Sequence, residues 1–145
     1  MDLKLNAERF TGKDYVDLYD KYRPSPPQEI IHQSLNYLHQ AQANRVVDLG
    51  CGTGLSTKVW ANVATEVIGI EPSTEMIAIA ENKANPRNNI QYKTGYSNAL
   101  PLEDSSIDIV ACSQSFHWME PNSTLKEVHR VLKKGGVLII YDVIW

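Results

Sequence analysis

The chain has 145 residues, enough for one domain with a hydrophobic core that needs neither metals nor disulfides. Hydrophobic residues make up 43% and charged residues 21%, which excludes a disordered or fibrous chain. The net charge is −3 without a cluster of Lys and Arg, which argues against nucleic-acid binding, and no apolar run is long enough to span a membrane. We expect a single domain over residues 1–145, with a helical segment at 1–43 and an α/β core at 44–145.

The first predicted elements are two helices. Aromatic residues at helical spacing predict a short amphipathic helix over 15–22. A proline-rich stretch then breaks it. Ser25, followed by a proline and by Gln28, has the residue types of a helix start, and apolar residues at helical spacing continue from Ile30 to Ala41.

Five apolar runs then alternate with helical patterns. The runs predict strands at 46–49, 67–70, 90–94, 107–111 and 137–140. Helices are predicted after Gly54, after the capping residue Ser73, and over 121–132. Lys133, Lys134, Gly135 and Gly136 are typical of the end of that last helix. The continuous apolar character of the fifth strand predicts burial on both faces.

Alternating strands and helices indicate parallel βαβ units with right-handed crossovers. The fold prediction is therefore an α/β, doubly wound, Rossmann-like and mainly parallel sheet. In such a sheet the ligand crevice lies at the carboxyl ends of the strands.

The glycine loop after the first strand is the clearest functional signal. Gly50, Gly52 and Gly54 allow a sharp turn and a close approach of backbone to a ligand. No Lys-Ser/Thr pair follows, so the loop is not a phosphate-binding P-loop. Leu55 stands where a dinucleotide fingerprint needs Gly or Ala, which disfavours a nicotinamide oxidoreductase. Glu71 follows the second strand, where a carboxylate can accept hydrogen bonds from two ribose hydroxyls.

Four segments resemble, in order, the motifs of class I S-adenosylmethionine-dependent methyltransferases: 46–54, 70–73, 100–110 and 131–138. The segments 19–26 and 115–118 are similar to the small-molecule branch that includes ubiquinone/menaquinone biosynthesis and trans-aconitate methyltransferases. The resemblance implies the strand order 3-2-1-4-5, S-adenosyl-L-methionine as the cofactor and a small-molecule methyl acceptor.

The resemblance also implies a set of cofactor-binding residues. Those toward the methionine end would be Asp48, Gly50, Cys51, Gly52, Ser113 and Gln114. Arg23 is expected either to reach back over the site and pair with a carboxylate of the cofactor or acceptor, or to lie in an N-terminal segment that only packs. Those toward the ribose and adenine would be Glu71, Pro72, Ser73, Met76, Tyr96 and Ser97. Many relatives carry an acidic residue in the loop after the third strand, but residues 96–98 of this chain contain none.

His117 is the candidate catalytic base, because its ordinary pKa lies near 6.5 and suits proton removal from an acidic acceptor. The alternative is that His117 and Trp118 form a packing pair over the cofactor. Cys51 and Cys112 are expected to be reduced packing residues in a cytoplasmic protein, and no residues have metal-ligand spacing.

Relatives usually continue past the fifth strand with a helix and strands six and seven, which this chain lacks. An apolar fifth strand would then present an open edge. We expect either a piece of a longer protein or a chain that covers this edge by self-association. The alternative to an enzyme is a truncated or non-catalytic S-adenosylmethionine-binding module.

Overall fold

A computed structural model describes residues 28–113 and 115–141. The helix predicted over 15–22 and the capping role of Ser25 lie outside these residues. The described part begins with α1 (Gln28–Leu38), within the helix predicted after Ser25.

Five strands and three further α-helices follow. The strands are β1 (Ala43–Leu49), β2 (Ala64–Glu71), β3 (Ile90–Thr94), β4 (Ile107–Ser113) and β5 (Leu132–Tyr141). The helices are α2 (Thr57–Trp60), α3 (Thr74–Glu81) and α4 (Pro121–Val131), and a short 3-10 helix covers Phe116–Trp118.

The strands form one parallel sheet in the order β3-β2-β1-β4-β5, which confirms the predicted fold and strand order. β1 lies at the centre, and its side chains alternate between the two faces of the sheet. Val46 packs with α1 and α2 residues such as Ile31 and Trp60, whereas Val47 packs on the face that α4 covers with Val128. Both faces are thus buried by helices, as a parallel sheet requires.

Two predicted elements differ from the structure. The helix after Gly54 is a single turn, because the chain must turn back to start β2 at Ala64. α4 ends at Val131, and residues 132–136 belong to β5, where the register shifts and Gly135 has φ +82°. Lys133 does not stabilise a helix end. Its Nζ lies 3.1 Å from Asp108 Oδ1 instead.

The prediction that β5 is buried on both faces is wrong. Its residues 137–139 are half-buried, and Ile140 is 46% exposed. The reason is its position, since β5 pairs only with β4 among the residues that the structure describes. None of the helices described is long and apolar enough to cross a membrane.

Candidate functional site

The carboxyl ends of β1 to β4 bring four loops to one edge of the sheet. Because the strands are parallel, the loops after β1, β2, β3 and β4 all open on this edge. This is the edge at which the sequence places the glycine loop, Glu71, Tyr96 and Ser113.

The glycine loop has a backbone that favours glycine at three positions, with φ of +71° at Gly50, +56° at Gly52 and +88° at Gly54. A Cβ on Gly50 would lie 2.8 Å from Ser115 Cβ, so this turn also packs tightly against the segment after β4. The Gly50 N–H donates to the Ile70 carbonyl over 2.8 Å, which ties the loop to the end of β2.

Asp48 is fully buried beneath this loop. Its Oδ2 accepts hydrogen bonds from Ser56 Oγ at 2.6 Å and from Thr57 Oγ1 at 2.7 Å. These bonds fix the start of α2, which follows the glycine loop, to the end of β1. The predicted contact of Asp48 with the methionine part of a cofactor stays a prediction.

Tyr92 on β3 supports the same loop from the side. Its ring lies over Gly69, and its hydroxyl would be 2.5 Å from a Cβ on Gly54. Burial raises the pKa of Tyr92, the charges of Cys51 and Asp48 add to this, and a hydrogen bond with Thr57 opposes it. Tyr92 is therefore a neutral phenol at neutral pH, packed behind the glycine loop.

Glu71 joins the glycine loop to the start of α3. Its Oε1 accepts from the Gly52 N–H at 3.1 Å, and its Oε2 accepts from the Ser73 N–H at 2.8 Å. The side chain is buried, with the residue 6% exposed. Each carboxylate oxygen has two lone pairs, so a carboxylate held in this way can also accept bonds from vicinal hydroxyls.

The start of α3 lies beside this carboxylate. Ser73 caps the helix as predicted, with its Oγ accepting from the Met76 N–H at 3.3 Å. Met76 is buried and packs with Trp118, which comes from the loop after β4, and Pro72 is half-buried. The Met76–Trp118 contact joins α3 to the 3-10 helix that follows β4.

The loop after β3 presents two of the predicted residues in different ways. Tyr96 is 37% exposed. Ser97 is buried, and its Oγ lies 2.7 Å from Thr124 Oγ1 on α4. The Ser97 side chain is thus engaged by the protein, so a contact with adenine through its hydroxyl stays a prediction.

The loop after β4 contains the predicted catalytic residue. Ser113 is buried at the end of β4, and the backbone of His117 lies in the 3-10 helix. Arg23, Gln114 and the side chain of His117 lie outside what the structure describes.

Cys51 and Cys112 are buried and are not joined in a disulfide, and their role as reduced packing residues stays a prediction. Burial, with a smaller contribution from the charge of Asp48, raises the pKa of Cys112 to about 12. In the ranges 28–113 and 115–141, no group of three or more His, Cys, Asp and Glu side chains could hold a metal ion.

The sequence reading missed residues that hold the site together through distant partners. Ser115 Oγ donates to the Leu49 carbonyl over 2.8 Å and so fastens the loop after β4 to the end of β1. Thr57 and Tyr92 support the glycine loop, as described above. Their only sequence signal is position, since each lies within a few residues of a strand end or a glycine.

Comparison with known proteins identifies related chains. Residues 47–140 match the family described as "Methyltransferase domain". The chain is 34% identical over 131 residues to the uncharacterized methyltransferase C25B8.09 of Schizosaccharomyces pombe, covering 90% of this chain and 51% of that protein. The chain spans about half the length of the curated relatives it matches.

Solved structures with the same fold include two that differ in their described activity. An S-adenosylmethionine-dependent methyltransferase from Mesorhizobium loti is 28% identical, with a TM-score of 0.63, over 77% of this chain and 52% of that chain. The [4+2]-cyclase SpnF is 29% identical, with a TM-score of 0.68, over 81% of this chain and 46% of that chain.

Proposed function

The chain belongs to the class I S-adenosylmethionine-dependent methyltransferases, and we propose that it transfers a methyl group to a small-molecule acceptor at the carboxyl edge of its sheet. Membership in this family implies S-adenosyl-L-methionine as the cofactor. The observation that carries the proposal is the buried carboxylate of Glu71, fixed between the glycine loop and α3.

The residues at this edge fit the proposed cofactor. The Glu71 carboxylate offers acceptors for the two ribose hydroxyls and is already oriented by the N–H groups of Gly52 and Ser73. Glycine at position 50 keeps the turn compact, because its place beside Ser115 leaves no room for a side chain. Trp118, half-buried against the buried Met76 of α3, provides apolar surface at this edge, which suits the face of an adenine ring.

When bound, the cofactor supplies a methyl group that is already activated by its sulfonium charge. The protein then has to hold donor and acceptor in line and close together, which lowers the entropic part of the barrier. We propose that the glycine loop and Ser113 hold the methionine end for this purpose. For an acceptor with an acidic proton, His117 is the residue proposed to remove it.

The proposed class of methyl acceptor is inferred from the sequence. The net charge of −3 and the lack of a basic cluster disfavour a nucleic acid. The similarity of 19–26 and 115–118 to the small-molecule branch favours a small acceptor.

The proposal is tested by calorimetric titration of the full chain with S-adenosylhomocysteine and with NAD. We expect S-adenosylhomocysteine to bind, and Glu71→Ala to weaken that binding by about 1.5–3 kcal/mol because charge-assisted hydrogen bonds are lost. Glu66→Ala is the matched control, since Glu66 lies on the same strand but pairs with Arg45 near its amino end. Binding of NAD alone would contradict the proposal, and equal affinities of the Glu71 and Glu66 variants would contradict the ribose role.

A second candidate function is cofactor binding without methyl transfer. The cyclase SpnF has the same fold, and a fold does not determine the reaction that a site performs. Turnover separates the two functions. Release of S-adenosylhomocysteine in the presence of a panel of small acceptors supports the methyltransferase, whereas tight binding without turnover across the panel supports a binding module.

We further propose that β5 covers its edge by self-association. β5 pairs only with β4 in the part of the chain described, and Ile140 is 46% exposed on it. A monomer in light scattering of the full chain would contradict this. We propose the cytoplasm as the location, because two buried cysteines do not make the disulfide framework typical of an oxidising compartment.

A further inference from the structure

The loop between β3 and β4, residues 95–106, forms one wall of the proposed cofactor crevice. It starts beside Glu71, whose backbone carbonyl accepts from the Gly95 N–H at 3.2 Å, and it carries the half-exposed Tyr96. Within its first turn the Ala99 N–H donates to the Tyr96 carbonyl over 3.2 Å. This local bond shapes the turn but does not fix where the loop lies relative to the sheet.

Helix α4 fixes the loop from outside. Thr124 and Glu127 lie three residues apart and therefore on one face of the helix. Thr124 Oγ1 meets Ser97 Oγ at 2.7 Å, and both residues are buried. Glu127 Oε1 accepts from the Leu100 N–H at 2.8 Å. The helix thus holds the loop at two successive points.

Arg130, one further turn along the same face, holds the rest of the loop. Its guanidinium donates to the carbonyls of Leu100 at 3.0 Å and Leu102 at 2.9 Å, and to Asp104 Oδ1 at 2.7 Å. It also donates to both carboxylate oxygens of Glu127, at 2.7 and 3.2 Å. These five bonds match the five N–H donors of an arginine.

The electrostatics agree with this arrangement. The hydrogen bond from Arg130 holds the pKa of Glu127 below its usual range, so the carboxylate stays charged at neutral pH. The Asp104 side chain is 77% exposed, and an exposed ion pair contributes little. The bonds that position the loop are therefore those to the backbone carbonyls, which a planar fork can reach together and a lysine cannot.

We propose that Arg130 is a positioning residue for the cofactor: with Glu127 it holds loop 95–106 against α4 so that Tyr96 stands at the adenine end of the crevice. The inference rests on the proposed function. A loop that is already in place binds its ligand without the entropic cost of ordering. Arg130 does not touch the cofactor and acts through the loop.

The test is a double-mutant cycle on the full chain, with the affinity for S-adenosylhomocysteine measured by calorimetry well below the melting temperature of every variant. We expect Arg130→Gln to weaken binding about tenfold and Tyr96→Ala about fivefold. If Arg130 acts through the loop, the double variant should lose about tenfold rather than about fiftyfold. A merely structural arginine would lower the melting temperature without this non-additivity.

Arg45→Gln is the matched control, because Arg45 also forms an ion pair but lies near the amino end of β1. It should change the affinity less than twofold. If Arg130→Gln does not fold, Thr124→Val replaces it, since it removes the Ser97–Thr124 hydrogen bond, another anchor of the same loop, and should show the same non-additivity with Tyr96→Ala. An affinity of Arg130→Gln within twofold of wild type would overturn the role of Arg130. A double variant whose loss of affinity equals the product of the two single losses would overturn it too. Failure of the wild type itself to bind would overturn the proposed function instead.

Discussion

Replacement of Gly50 by alanine separates two reasons for glycine in the loop after β1. At φ +71° an alanine costs about 1–2 kcal/mol from the backbone alone. The new Cβ would also lie 2.8 Å from Ser115 Cβ and 2.9 Å from Ser115 Oγ, closer than real contacts allow. Ser115 must then move, and its hydrogen bond to the Leu49 carbonyl is worth about 1 kcal/mol. We expect Gly50→Ala to lower the free energy of unfolding by about 2–3 kcal/mol.

Gly135 provides the matched control. Its φ of +82° is similar, but nothing lies within 4 Å of a Cβ placed there. Gly135→Ala should therefore lose only the backbone contribution of about 1–2 kcal/mol. In thermal unfolding followed by circular dichroism, the two variants should differ by about 3–4 °C for each kcal/mol.

A third variant identifies the contact responsible for the difference. Ser115→Gly removes both atoms nearest the new Cβ, so in the Gly50→Ala background it should cost less than it does in the wild type. Equal stability of Gly50→Ala and Gly135→Ala would refute the reasoning, because packing against Ser115 would then contribute nothing.

Two further predictions concern Asp108, near the amino end of β4, and Trp118, which packs against Met76. Burial alone would raise the pKa of Asp108, but hydrogen bonds from the Arg45 and Asn44 N–H groups and from Lys133 outweigh it and lower the pKa. This stabilisation is complete above the unfolded pKa near 4 and is lost as the pH falls through the lower native value. Asp108→Asn should therefore cost about 1.5–3 kcal/mol in urea unfolding at pH 7, and the cost should shrink below about pH 4; a constant cost would contradict this. Trp118 packs on Met76 at the crevice, so S-adenosylhomocysteine should change the tryptophan fluorescence of the wild type, and a full change in Trp118→Phe would count against this position.

The parts of the fold that the sequence predicted well are those with local signals. β3 has the predicted bounds, and Ser73 caps α3 as expected, because strand patterning and capping depend on neighbouring residues. β5 is different. Two glycines after Lys134 look like a helix end, but backbone pairing with β4 places this segment in the sheet, where Lys133 also pairs with Asp108. That partner is 25 positions away in the chain, and no window of local sequence contains it.

The candidate site shows the same division between local and distant information. The sequence placed Asp48, Glu71 and Ser97 at the correct edge of the sheet, since strand ends are locally readable. It could not predict which way the side chains turn. The Asp48 carboxylate is bonded to Ser56 and the Ser97 hydroxyl to Thr124, contacts that depend on how loops and helices pack.

The partners of each side chain decide how its substitution should be interpreted. Asp48 and Ser97 hold backbone in place, so their loss perturbs the loops first and any ligand through them. Glu71 bonds to backbone at two points and also carries the charge that suits a pair of hydroxyls. An affinity loss that exceeds the accompanying stability loss is therefore informative at Glu71, whereas at Asp48 and Ser97 the two losses should follow each other.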